Sequence, residues 1–340
     1  HHWTPGDPQD GTVGALFAAH QRRDKGFGAA LGSQAVATLL PTLRRAGYRV
    51  AKAQSDWHMD ARASAADREL LRGLIEGERI TEAKADDADK AEAEAGDAGE
   101  ALCSDPNVAM IQFTGSTGAG RRVGETASRN LKKVSLELGG KNSLIILEDA
   151  DLDLAVKNAA WAAWLHQGQI CMSAGRILVQ RSILDAFAKA LAEKARQLPV
   201  GDPTSEQVAL GPIINQAQLD HAVSILDQSR AAGAEITAGG TAEGLFLPAT
   251  VVKGVTPDMS AYTAEIFAPV AVLVPFDTDA EAIALANDTE YGLSVAVISK
   301  DVGRAMAMGE ELHAGLVHIN DQTVNDDVVN PFGGVGASGN

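Results

Sequence analysis

The chain has 340 residues, 45% hydrophobic and 22% charged, the mix of a globular protein with room for two or three domains. A formal net charge of −16 repels phosphate backbones and argues against a nucleic-acid partner. Two cysteines, Cys103 and Cys171, cannot build a disulfide framework and fit a reducing, cytoplasmic compartment, and no apolar run reaches the roughly 20 residues of a membrane span.

The opening "HHWTPGDPQDG" shows no signal-peptide pattern, and its two histidines are too few for a metal site; none is expected elsewhere. The chain has no Met start and stops at "GASGN" without a closing element, so it reads as part of something longer. Residues 10–24 and 33–57 read as helix, then helix, turn and strand, with Gly47 as a helix stop before "YRVAKA", and residues 62–76 as an amphipathic helix. These roughly 75 residues are thin for an independent core. The acidic, alanine-rich stretch 82–100 lacks helical hydrophobic periodicity and marks a boundary, read as a solvated linker or a lone acidic helix.

Beyond it, strand and helix signals alternate. Strands are expected at 108–114, 133–138, 143–147, 176–180, 270–276, 294–299 and 315–320. Helical patterns fall between them at 119–130, 151–165, 182–197, 214–232, 279–287 and 301–312. This alternation predicts an α/β fold with a largely parallel sheet.

Three segments carry chemistry. "FTGSTGAGRRVGETA" (113–127) runs from strand to helix through Gly115, Gly118 and Gly120, where backbone N–H groups can approach an anion at a helix N-terminus; a plain tight turn is the alternative. By spacing it is neither the usual dinucleotide fingerprint nor a P-loop. "SLELGGKN" (135–142) ends a strand on Glu137, which must face either solvent or a site. "WLHQGQICMSAGR" (164–176) sets Cys171 among small and uncharged residues, which leaves a packed core thiol and a nucleophile both open. Together, a thiol, a carboxylate able to activate water and an anion cradle suit a two-step covalent mechanism.

"FTGSTGAG", "LELGGKN", "GQICMSAGR", "AEIFAPV" and "PFGGVGASG" occur in the order and at roughly the spacing of the aldehyde dehydrogenase superfamily, which residues 99–340 resemble. "GQICMSAGRILV", "NDTEYGLS" and "VHINDQTVND" look most like its benzaldehyde and vanillin dehydrogenase branch. The resemblance implies NAD- or NADP-dependent oxidation of an aldehyde, aromatic aldehydes favoured, to a carboxylic acid. By position, Cys171 matches the nucleophile that forms a hemithioacetal and then a thioester, with its backbone N–H donating to the oxyanion. Glu137 matches the base that activates water. Gly115, Ser116 and Gly120 match the cofactor diphosphate turn, Glu265 the carboxylate on the nicotinamide ribose, and Phe267 the ring beside the nicotinamide. Cys103 has no counterpart role and is expected to pack.

The chain departs from the family pattern at Trp164, Ser143 and Ala268, the last expected to crowd the cofactor side. Upstream of residue 99 there is no Trp-Asn segment to complete the oxyanion hole and no Lys-Pro-Ser/Ala-Glu segment to hold the adenosine ribose, so turnover by this chain is expected to be impaired. A family-type homo-oligomer is implied, without its closing strand.

Residues 1–77 resemble the C-terminal part of class I S-adenosylmethionine-dependent methyltransferases, through "KGFG", "AGYRV" and "SDW", but carry no cofactor loop. The expected organisation is this fragment, an acidic linker at 78–104, a partial Rossmann-like cofactor domain at 105–138, a catalytic domain at 139–317 and an incomplete return segment at 318–340. The competing expectations are a catalytically inactive remnant that keeps the fold, and, less in keeping with the missing loop, a methyltransferase.

Overall fold

The computed structural model describes residues 99–204, 208–326 and 331–339. The methyltransferase-like fragment and all but the last six residues of the expected linker lie outside them. Residues 99–104 are helical and bury Cys103, which is 5% exposed. That is the packing role expected of this thiol.

A small β-α-β unit comes first. Strand β1 (Met110–Thr114) pairs in parallel with β2 (Lys133–Glu137), and helix α1 (Thr117–Arg129) connects them. Ser116 caps α1 by accepting from Ala119 N. The register sets Thr114 beside Glu137, and Gly115 N donates to the Glu137 carbonyl at 3.0 Å. The glycine turn and Glu137 thus leave the same end of two paired strands.

The rest of the described chain is a three-layer sandwich around a seven-stranded sheet. Its elements in order are β3 (Asn142–Ile146), α2 (Leu152–Trp164), β4 (Ala174–Gln180), α3 (Leu184–Gln197), α4 (Gln216–Ala231), β5 (Glu235–Ala238), β6 (Thr250–Lys253), the short α5 (Ser260–Thr263), β7 (Val270–Phe276), α6 (Asp279–Asn287), β8 (Tyr291–Gly292), β9 (Ser294–Ile298), α7 (Val302–Gly309), β10 (Leu316–Ile319) and β11 (Val335–Gly336). The sheet order is β10-β9-β3-β4-β7-β6-β5, parallel except for the antiparallel edge pair β5–β6.

The central strands read as continuous apolar runs because both faces are covered, as parallel sheets require. Alternate residues go to opposite layers. Ile145, Leu178, Val272 and Val297 pack with Leu219, Ile225, Ala282 and Met308 of α4, α6 and α7. Leu144, Ile177, Leu273 and Ala296 pack with Ala155, Ala159, Phe187 and Leu191 of α2 and α3. All seven expected strands and six expected helices are present within a few residues. Strands β5, β6, β8 and β11 were not expected from the sequence.

The last described segment returns to the start of the site. Strand β11 pairs antiparallel with β8, Leu138 N donates to the Ser338 carbonyl at 2.9 Å, and Gly292 N donates to Ser338 Oγ at 3.1 Å. No helix among the described residues is long and apolar enough to cross a membrane.

Candidate active site

Cys171 sits in a turn three residues before β4, and Glu265 in a loop five residues before the neighbouring strand β7. Entry to adjacent parallel strands brings both loops to one edge of the sheet. Residues 138–141, which cross from β2 to β3, lie at the same edge because β3 flanks β4 on its other side.

The chain reaches Cys171 through an unusual backbone. After α2 ends at Trp164, His166, Gln167 and Gly168 all have positive φ, at 49°, 58° and 65°. Left-handed conformation in non-glycine residues stores strain, typically about 1–3 kcal/mol each, and persists only where surrounding contacts enforce it. Some of those contacts are visible here. Gln169 Oε1 accepts from Ile214 N at 2.9 Å, and Gly168 lies directly against Ala268. Ala268 is 5% exposed and belongs to the core cluster, and Trp164 and Ser143 are likewise buried.

Burial pushes the Cys171 thiol above its ordinary pKa, and the charges of Glu265 and Glu137 push it further; the N–H groups of Met172 and of Cys171 itself oppose this. Both carboxylates thus act on the thiol through their charge, and the two backbone N–H groups through hydrogen bonding. It rests protonated, so it needs a base to become a nucleophile. Glu137 is the last residue of β2, and its Oε2 is buried without a hydrogen-bond partner. Burial raises its pKa. One carboxylate oxygen is thus withdrawn from solvent, while the residue as a whole is half-buried.

Glu265 is also raised by burial, against the N–H of Gly140 and the charge of Lys141, which pull it down. Its Oε1 accepts from Gly140 N at 3.0 Å, and its carboxyl lies against Gly139, where a side chain would collide with it. From α4, Gln218 Nε2 donates to the Ile266 and Phe267 carbonyls, and His221 Nε2 lies 3.0 Å from the Glu265 carbonyl. These bonds hold Phe267 at a φ of 51°.

Gly115 and Ser116 form the turn into α1, and Gly120 packs on Leu138. No acidic residue occupies the first turn of this 13-residue helix. The positive end of its dipole is therefore not offset by a carboxylate of its own first turn. Of the expected site residues, Gly115, Ser116, Cys171, Glu265 and Phe267 lie in turns and loops, Glu137 ends β2 and Gly120 lies in the first turn of α1.

Two residues were quoted in the sequence motifs without being given a role. Asn142 Nδ2 donates to the carbonyls of Cys171 and Ser173 at 2.7 and 2.8 Å, while its Oδ1 accepts from Ser294 N at 3.0 Å. Lys141 is 2% exposed, and its Nζ donates to the Ala261 and Ala264 carbonyls at 2.9 and 2.6 Å. The only signal available was a polar pair opening an apolar strand.

Residues 92–340 match the model of the aldehyde dehydrogenase family. The chain belongs to that family. It is 51% identical over 243 residues to a vanillin dehydrogenase from an Amycolatopsis species, and 47% identical over 243 residues to the NAD(+) benzaldehyde dehydrogenase of Pseudomonas putida. Each match covers 72% of this chain and 50% of the relative, so the chain spans about half the length of these curated relatives. Among solved structures, it superposes on a salicylaldehyde dehydrogenase from Pseudomonas putida G7, complexed with salicylaldehyde, with a TM-score of 0.71 at 38% identity, covering 72% of this chain and 51% of that one. A betaine aldehyde dehydrogenase from Staphylococcus aureus in complex with NAD+ gives 0.69 at 37% identity, covering 71% and 49%.

Proposed function

We propose that the chain carries the nucleophile, the base and part of the cofactor site of an NAD- or NADP-dependent aldehyde dehydrogenase acting on aromatic aldehydes. The observation that carries this is a thiol at Cys171 and a half-buried carboxyl at Glu137, one oxygen of which is buried without a partner and whose charge acts on the thiol. The named relatives, which act on vanillin, benzaldehyde and salicylaldehyde, favour an aromatic substrate.

In this account Cys171 Sγ attacks the aldehyde carbon and loses its proton to Glu137, giving a hemithioacetal oxyanion. The N–H groups of Cys171 and Met172, which already face the sulfur, stabilise the oxyanion. When bound, the nicotinamide supplies the hydride acceptor that turns the hemithioacetal into a thioester. Glu137 releases the thiol's proton to solvent and, again a carboxylate, takes a proton from water, whose oxygen attacks the thioester; that proton passes to the departing Cys171 thiolate as the acid is released. Gly115, Ser116 and the start of α1 would hold the diphosphate, Glu265 would accept from the nicotinamide ribose, and Phe267 would pack beside the nicotinamide.

The test is absorbance of reduced nicotinamide when the 340-residue chain is mixed with NAD or NADP and benzaldehyde, vanillin or salicylaldehyde. Cofactor reduction that is lost in Cys171→Ala supports the reading. No reduction by any pair, with the fold intact, supports the inactive remnant instead.

We infer a cytoplasmic location and a family-type homo-oligomer on the same basis of kinship. The methyltransferase-like fragment at 1–77 and the acidic linker that follows remain readings of the sequence. No binding of S-adenosylmethionine is expected, and saturable binding by calorimetry would overturn that. Limited proteolysis cutting first between residues 82 and 100 would support the linker.

A further inference from the structure

Residues 139–142 touch both loops of the site at once. On one side Gly140 N holds the Glu265 carboxylate, and Lys141 Nζ bonds the two carbonyls, Ala261 and Ala264, that lead into it. On the other side Asn142 bonds the Cys171 carbonyl and anchors itself to β9 through Ser294. The Lys141 stem lies on Gly175, where an added Cβ would come within 2.8 Å of Cδ, and an added Cβ at Gly140 would meet the Cys171 carbonyl at 2.5 Å. The bracket can lie this close only because these positions carry no side chain.

We propose that residues 139–142 form a bracket that fixes the Glu265 carboxylate relative to the Cys171 thiol, with Lys141 as the positioning residue for Glu265 and Asn142 as the positioning residue for Cys171. This deepens the reading above and rests on it for the importance of the two groups. The bracket itself stands on the hydrogen bonds.

Burying a lysine amine costs stability compared with an apolar residue, and here that cost accompanies two hydrogen bonds that fix the loop leading to Glu265. The charged groups facing it are Glu265 and Arg176. Those acting on the thiol are Glu265 and Glu137. The strength with which Glu265 opposes ionisation of Cys171 thus measures their relative placement.

The experiment is a double-mutant cycle read by iodoacetamide alkylation of Cys171 against pH, followed by peptide mass. In the wild-type chain, Glu265→Gln is expected to lower the midpoint of alkylation by roughly half a pH unit or more. In a Lys141→Met background the same change should move it by less than half as much, because the loop no longer holds Glu265 in place. At the alkaline pH where the thiol titrates, Lys141 with its pKa of about 7 is uncharged, so its removal takes away hydrogen bonds and no counter-charge; an equal or larger shift overturns the proposal, as does no shift in either background. Gly175→Ala, which displaces the lysine stem but keeps its amine, should shrink the shift in the same way and serves if Lys141→Met does not fold. The alkylation needs neither cofactor nor aldehyde. Absence of nicotinamide reduction by the wild-type chain would therefore defeat the functional reading while leaving the bracket to be judged separately.

Discussion

Ser338 Oγ donates to the Gly139 carbonyl at 2.7 Å and accepts from Gly292 N, in a position with no solvent exposure. A residue near the end of the described chain thereby ties β8 and β11 to the turn that follows Glu137. Ser338→Ala fits the space but leaves a buried carbonyl and a buried N–H unpaired. It should cost about 1–3 kcal/mol for each group left unsatisfied, visible as a lower thermal midpoint. An unchanged midpoint would mean that the two groups find other partners.

Glu137 should impose a pH limb on the second half of the reaction. Burial raises its pKa, and it acts as a base only when ionised. Deacylation should therefore fall as pH drops through that raised value, at a higher pH than an ordinary carboxylate would give. Glu137→Gln should remove this limb, slow deacylation and let an acyl-enzyme accumulate. Intact-mass measurement after mixing with an activated aryl ester checks both outcomes.

Lys141 makes stability depend on pH in a defined direction. Desolvation lowers its pKa to about 7, with Arg176 adding to the effect. Between that value and the ordinary lysine range the unfolded chain binds more protons than the folded one, so stability rises with pH across the window. The slope approaches about 1.4 kcal/mol per pH unit at most. Lys141→Met should lack this rise. Denaturant unfolding of both proteins at several pH values above neutrality would show the two curves diverging.

The long apolar strands were legible because burial on both faces of a parallel sheet leaves uninterrupted runs such as "RILVQ" and "VAVLVPF". Strands β5 and β6 were not, since four residues each, "EITA" and "TVVK", are too short to show a period and exist through their pairing. In the site, Cys171 and Glu137 stood out by being chemically odd in their surroundings. Lys141 and Asn142 did not. A lysine after two glycines reads as solvated, and its burial depends on carbonyls at Ala261 and Ala264, which only the fold brings near. The left-handed run at His166 and Gln167 was equally hidden, because glutamine gives no sign of a positive φ and a single histidine only a weak one.

The assignment of Cys171 is tested most directly by hydrolysis of an activated aryl ester, which needs the nucleophile and its N–H donors but no cofactor. Esterase turnover is expected to be detectable but slow, since one missing oxyanion donor typically costs on the order of 100- to 1,000-fold in rate. The wild-type chain should carry a transient acyl group on Cys171, and Cys171→Ala should abolish both the adduct and the turnover. Ester hydrolysis that continues unchanged in Cys171→Ala would contradict the account.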